Sequence, residues 1–161
     1  MPNEDRQDNS PIEFIIEHDA WRDIGFNPIE FGNLIYNKII QEFEDANGEI
    51  CVLLADDDKL HELNKTWRQM DKPTNVLSFP HDEGGQILGD IAISLQTLQK
   101  EAIEQNKSLQ DHFAHLLIHG ILHLLGFDHI NEDEAIEMET IEIELLESMN
   151  ISNPYEMDLK N

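Results

Sequence analysis

The amino-acid sequence predicts a single α+β domain, a small mixed sheet of about four strands packed with several helices. Three observations point there. Short apolar runs recur through the first two thirds of the chain, whereas the last third carries apolar residues three and four apart. A chain of 161 residues with 40% hydrophobic content can bury one core, and falls within the usual size of one domain. No repeat and no low-complexity tract divides it.

The first strand is expected at Ile12 to Glu17, introduced by Pro11, after a polar and acidic stretch over 1–10 that reads as a flexible N-terminus. Phe31, Leu34, Ile35, Ile39 and Phe43 recur at helical spacing, and Gly48 follows as a stop. Ile50 to Ala55 suits a buried strand. Asp56-Asp57-Asp58 then supplies an N-cap and favourable negative charge for a helix through about Met70. A turn at Asp71 to Asn75 contains Pro73. Val76 to Phe79 and Asp90 to Ile93 read as two more strands, joined by the polar loop containing Gly84-Gly85. Ser94 to about Asn106 makes a helix. Ser108, with Asp111 three residues on, caps the next one, which runs to Leu125 and stops at Gly126. Asn131 caps a final helix whose buried stripe is Met138, Ile141, Leu145 and Met149.

The formal charge of −24 argues against binding nucleic acid through a broad basic surface. The charge is uneven, however. Eight acids and no base lie between Asn131 and Glu147, whereas Lys59, Lys65, Arg68 and Lys72 are four of the ten basic residues. On a helix Lys65, Arg68 and Lys72 would share one face, either a local cationic patch or a solvated surface. Cys51 is the sole cysteine and reads as a small core residue. It allows no internal disulfide, which fits a reducing cytoplasm. No stretch reaches the roughly 20 apolar residues of a membrane span. The N-terminus also lacks the positive start and apolar centre of a secretory signal.

The chemistry concentrates in His119-Gly120-Ile121-Leu122-His123-Leu124-Leu125-Gly126-Phe127-Asp128-His129. His119 and His123 are i, i+4 and stack on one helix face. Gly126 permits the turn that returns His129 toward them. Three neutral imidazoles can hold one ion, most naturally zinc, and leave a fourth tetrahedral position for water. That is a zincin-like site on a helix and the following turn. The spacing matches the zinc-binding half of the metzincin peptidase motif, but Gly120 stands where that motif has its glutamate base, which counts against a peptidase. His115 and His112 extend the stripe one and two turns upstream, and read as satisfied histidines packed on the sheet rather than as supports for the three. Asp128 suits two roles equally, a general base or a group that orients a histidine.

Three stretches then resemble the YbeY family of single-strand-specific endoribonucleases and ribosomal RNA maturation factors. They are His119 to His129, the segment carrying Leu63-Asn64, Trp67-Arg68 and Pro73 to Pro80, and Leu88-Gly89-Asp90-Ile91. The resemblance implies zinc on His119, His123 and His129, a functionally important Arg68, single-stranded ribosomal RNA as substrate and the ribosome or a ribosome-associated protein as partner. One common form of the second stretch has aspartate where this chain has Asn75, so no catalytic role is carried to that position. The expected function is zinc-dependent RNA cleavage in ribosome maturation. The alternatives are a metallopeptidase with a non-standard base and a non-catalytic ribosome-assembly factor with a structural metal.

Overall fold

A computed structural model of the chain describes residues 11–43, 48–81 and 87–155. The expectations for residues 1–10 and for the Gly84-Gly85 loop lie outside those residues. Strand β1 (Ile12–Ile16) buries Ile12 and Phe14, and β2 (Glu49–Ala55) buries Ile50, Val52 and Leu54, the every-other-residue rhythm of a pleated strand. Cys51 sits half-buried between them. With β3 (Val76–Pro80) and β4 (Ile87–Ser94) they form one sheet in the order β1-β2-β4-β3. β1 and β4 both run parallel to β2, whereas β3 is antiparallel to β4 and forms an edge. The mixed four-stranded sheet expected from the sequence is therefore present.

Strand β4 begins three residues earlier than expected. Its first half contains Gly89 and Asp90, poor strand formers, and is held by pairing with both neighbours. The register against β2 shifts there, with Glu49 opposite Ile87 and Ile50 opposite Gly89. Gly89 has φ +150, and an added Cβ would stand 2.4 Å from the Phe79 carbonyl oxygen. Glycine here is what lets β4 lie against β3 on its other side.

Each α-helix starts on a side-chain cap. Asn27 caps α1 (Pro28–Glu42), with Pro28 at its first position, and Asp56 caps α2 (Asp57–Arg68) by accepting from the Lys59 N–H at 3.0 Å. Ser94 and Ser108 cap α3 (Leu95–Glu104) and α4 (Leu109–Leu124), and Asn131 forms a full capping box with Glu134 at the start of α5 (Glu132–Glu147). One turn of 3₁₀ helix at Asp19–Arg22 buries Trp21. Helices α1, α3 and α4 close one face of the sheet and α5 packs on α4, while Leu60 of α2 joins Leu77 and Ala92 on the other face. Among the described residues no helix is long and apolar enough to cross a membrane.

Three details differ from the expectations. Leu34 is 48% exposed, because α1 turns Ile35, Tyr36 and Ile39 inward. Met149 lies past the end of α5. Helix α2 ends at Arg68, where Gln69 takes a left-handed conformation (φ 56), so Lys72 is off the helix and the three-residue cationic face does not form.

Candidate metal centre

Helix α4 crosses the sheet with an apolar face so complete that Phe113, Leu117, Ile118, Ile121 and Leu122 are fully buried. Its histidines are left on the opposite side. The Ser78 hydroxyl donates to the Gly120 carbonyl at 3.2 Å, tying the edge strand to the middle of that helix. A Cβ on Gly120 would meet Ile91 at 3.2 Å and the Ser78 hydroxyl at 3.3 Å, so glycine lets the helix lie close to the sheet here. After Leu125 the Gly126 N–H bonds the His123 carbonyl, and the Phe127 N–H bonds the Leu122 carbonyl, with Gly126 at φ +102. That reciprocal pair is a Schellman turn, which reverses the chain and returns His129 to the helix.

The structure brings the three histidines together. Ring centroids of His119 and His123 are 4.6 Å apart, and His129 lies 5.5 Å from the first and 5.1 Å from the second. One nitrogen from each falls within 4.8 Å of the others, and among the described residues the group comprises these three alone. Their tautomers follow from their other partners. His119 Nδ1 lies 2.6 Å from a Glu142 carboxylate oxygen, and His123 Nδ1 lies 3.0 Å from the Phe127 carbonyl. Both partners only accept, so both protons sit on Nδ1 and both Nε2 atoms present lone pairs. Those Nε2 atoms face each other at 3.1 Å. Such lone pairs repel unless a cation or a proton lies between them. Protonation is opposed, because burial first, and then the neighbouring His119 and His129, push His123 below the ordinary imidazole value. Two nitrogens bound at about 2.0–2.1 Å to a tetrahedral zinc stand roughly 3.3 Å apart, so the donor set fits such an ion.

A carboxylate on α5 supports the cluster, and the sequence reading missed it. Glu142 is fully buried on the stripe between Met138 and Leu145. Burial alone would raise its pKa, but hydrogen bonds from His115, His119 and Tyr155 together outweigh that and hold it at about 2. The signal was an acid four residues after Met138 and three before Leu145, in the row that packs inward. His115 also departs from expectation. Its Nε2 contacts Glu142 and the Tyr155 hydroxyl, each at 3.1 Å, and His112 Nε2 contacts Glu101 of α3 at 2.8 Å. Both rings bond helix carboxylates rather than resting on the sheet.

Arg68, at the last turn of α2, leans over the Phe79 ring at 5.2 Å and donates to the Ser78 carbonyl. It lines a cleft of about 530 Å³ with Asn75, Asp128 and the three histidines, whereas Lys65 and Lys72 do not. Asp128 accepts from the His129 backbone N–H at 2.8 Å, while Glu142 and Phe127 occupy the orienting positions on the rings. The Asn75 side chain donates to Glu101 at 3.1 Å and accepts from the Val76 N–H at 2.6 Å, which fixes the start of β3.

The family model for endoribonuclease YbeY matches residues 28–150, a span that includes every group just described except Tyr155. The chain belongs to the YbeY family. Endoribonuclease YbeY of Colwellia psychrerythraea is 52% identical to it over 111 residues, covering 66% of this chain and 72% of that protein. A solution structure of a Thermotoga maritima protein covers 86% of the chain with a TM-score of 0.59 at 23% identity, which supports the fold alone. Members of the YbeY family are hydrolases acting on RNA, and this chain is an endoribonuclease of that family.

Proposed function

We propose that the chain is a zinc-dependent, single-strand-specific endoribonuclease that works in the cytoplasm on ribosomal RNA during ribosome maturation. The supporting observation is the pair of Nε2 lone pairs converging with His129 in the cleft that Arg68 also lines. His119, His123 and His129 would hold the ion through one ring nitrogen each, and three protein ligands would leave room for water or a phosphate oxygen. When bound, zinc supplies Lewis acidity and a water of lowered pKa.

The remaining work falls to the chain itself. Glu142 and the Phe127 carbonyl fix the tautomers of His119 and His123, so the rings accept an ion without rearranging. Arg68 spends one donor on Ser78 and keeps the rest of its guanidinium for a phosphate gaining negative charge. Arg68→Ala is expected to slow cleavage of a single-stranded RNA by about 10²-fold, a typical cost of removing one preorganised donor. Zinc content should stay near one per chain. Loss of the metal along with activity would make Arg68 a structural residue.

The charge of −24 repels free RNA over most of the surface, so docking is assigned to the ribosome or a ribosome-bound protein. Naked RNA of arbitrary sequence is expected to bind no tighter than micromolar at physiological salt, the weak regime of non-specific contacts. Submicromolar binding in a filter or anisotropy assay would contradict this. The residue after His119 is Gly120, so no side chain stands there to serve a peptidase as base. RNA, and not casein, is the expected substrate in parallel chelator-controlled digests.

A further inference from the structure

A fully buried carboxylate is costly unless every oxygen is hydrogen-bonded. Glu142 meets that condition with donors from three places. One oxygen takes the His119 Nδ1–H at 2.6 Å, and the other takes the Tyr155 hydroxyl and lies 3.1 Å from His115 Nε2. Burial, and then the adjacent carboxylate, push the Tyr155 phenol well above its ordinary pKa, so it stays a donor. His115 resists protonation through burial, and its Nδ1 is buried without a partner, as expected of a neutral ring that donates from Nε2. A leucine or methionine would fill this stripe more cheaply.

Tyr155 reaches the carboxylate by a second reversal of the chain. Past α5, Asn150 takes a left-handed conformation (φ 63), and the Ile151 N–H bonds the Leu146 carbonyl at 2.9 Å. The following residues then run back along α5. The Tyr155 ring meets His115 edge-on, with centroids 5.4 Å apart, and its N–H bonds the Asn153 side chain at 2.8 Å.

We propose that Glu142 is a positioning residue for metal capture by His119, and that Tyr155 holds it in place, so that docking of residues 150–155 and metal binding form one coupled equilibrium. The proposal rests on the three-histidine reading of the metal site. It adds that the segment after α5, thirteen residues from Glu142, belongs to the metal-holding machinery. Coupling of this kind is reciprocal: if a docked Tyr155 favours zinc, bound zinc favours a docked Tyr155 by the same factor.

The test measures zinc affinity by chelator competition and amide exchange by mass spectrometry on the full chain. Glu142→Gln is expected to weaken zinc binding by about 10- to 100-fold, the usual cost of losing a carboxylate behind a ligand histidine. Tyr155→Phe, a half-exposed deletion of one hydroxyl that leaves the fold intact, is expected to weaken it by roughly 3- to 10-fold, the size of one lost hydrogen bond. Zinc should slow exchange of the Ile151 and Tyr155 amides in the wild type, and much less in Tyr155→Phe. Ile39→Val, which loosens the core at α1 without touching Glu142 or its partners, controls for general stability and should leave zinc affinity unchanged. Wild-type affinity in both site variants, or an equal loss in Ile39→Val, overturns the proposal while leaving the metal site standing. Failure of the wild type to bind zinc overturns the proposal and the reading beneath it together.

Discussion

His123→Ala is expected to abolish RNA cleavage, by on the order of 10³-fold or more, and to leave the purified protein without zinc. Lewis-acid stabilisation by a bound ion is worth several kcal/mol, and each ~1.4 kcal/mol is a factor of ten in rate. His123 is the informative choice among the three. Its Nε2 lies 3.1 Å from that of His119, and its other nitrogen bonds only the Phe127 carbonyl. Removing it therefore strips the ion of one ligand without stranding the buried Glu142, as loss of His119 would. The fold should persist, with a lower melting temperature that no longer rises when zinc is added, since a ligand stabilises only the state that binds it. Elemental analysis beside a cleavage assay reads both outcomes. An active variant carrying one zinc per chain would remove the three-histidine site from the mechanism.

Gly89→Ala is expected to be the most damaging single methyl group that can be added near the site. The new Cβ would stand 2.4 Å from the Phe79 carbonyl oxygen, 3.0 Å from the Pro80 Cα and 2.8 Å from a Leu124 methyl. Two of those neighbours are backbone of the paired strand and cannot rotate aside. Strain of this kind at a positive φ costs about 2–4 kcal/mol. For a chain of this size that is roughly 5–15 °C in melting temperature. Leu124 is the last residue of α4, so the displacement is passed to the turn that returns His129, and zinc affinity should fall as well. A melting temperature within about 1 °C of wild type would show that the contact between β3 and β4 can relax, and that the strain argument is wrong.

Features written in local chemistry were legible in the sequence. Asp56, Ser94, Ser108 and Asn131 mark helix starts because their side chains bond N–H groups three residues away. The histidine cluster was equally local, with all three rings on one helix and the turn Gly126 permits. Features that depend on what packs alongside were not legible. The first half of β4 is a strand because β2 and β3 flank it, despite Gly89 and Asp90. Glu142 was counted only as one of eight acids on the last helix, although its place in the apolar row marked it out. Tyr155 could not be linked to it, since the contact needs the left-handed turn at Asn150. His115 was assigned to the sheet for the same reason, its true partners lying on another helix and the segment beyond it.

Strand β3 closes the sheet on one side, and an unpaired strand invites a second molecule to continue the ladder. This one is guarded. Pro80 has no N–H to offer, and the Arg68 guanidinium already occupies the Ser78 carbonyl. The arginine that faces the cleft is thus also a cover against self-association, and trimming it uncovers a sticky margin beside the histidines. Sedimentation of Arg68→Ala belongs ahead of its kinetics, because a variant that stacks on itself would look inactive for reasons unrelated to phosphate.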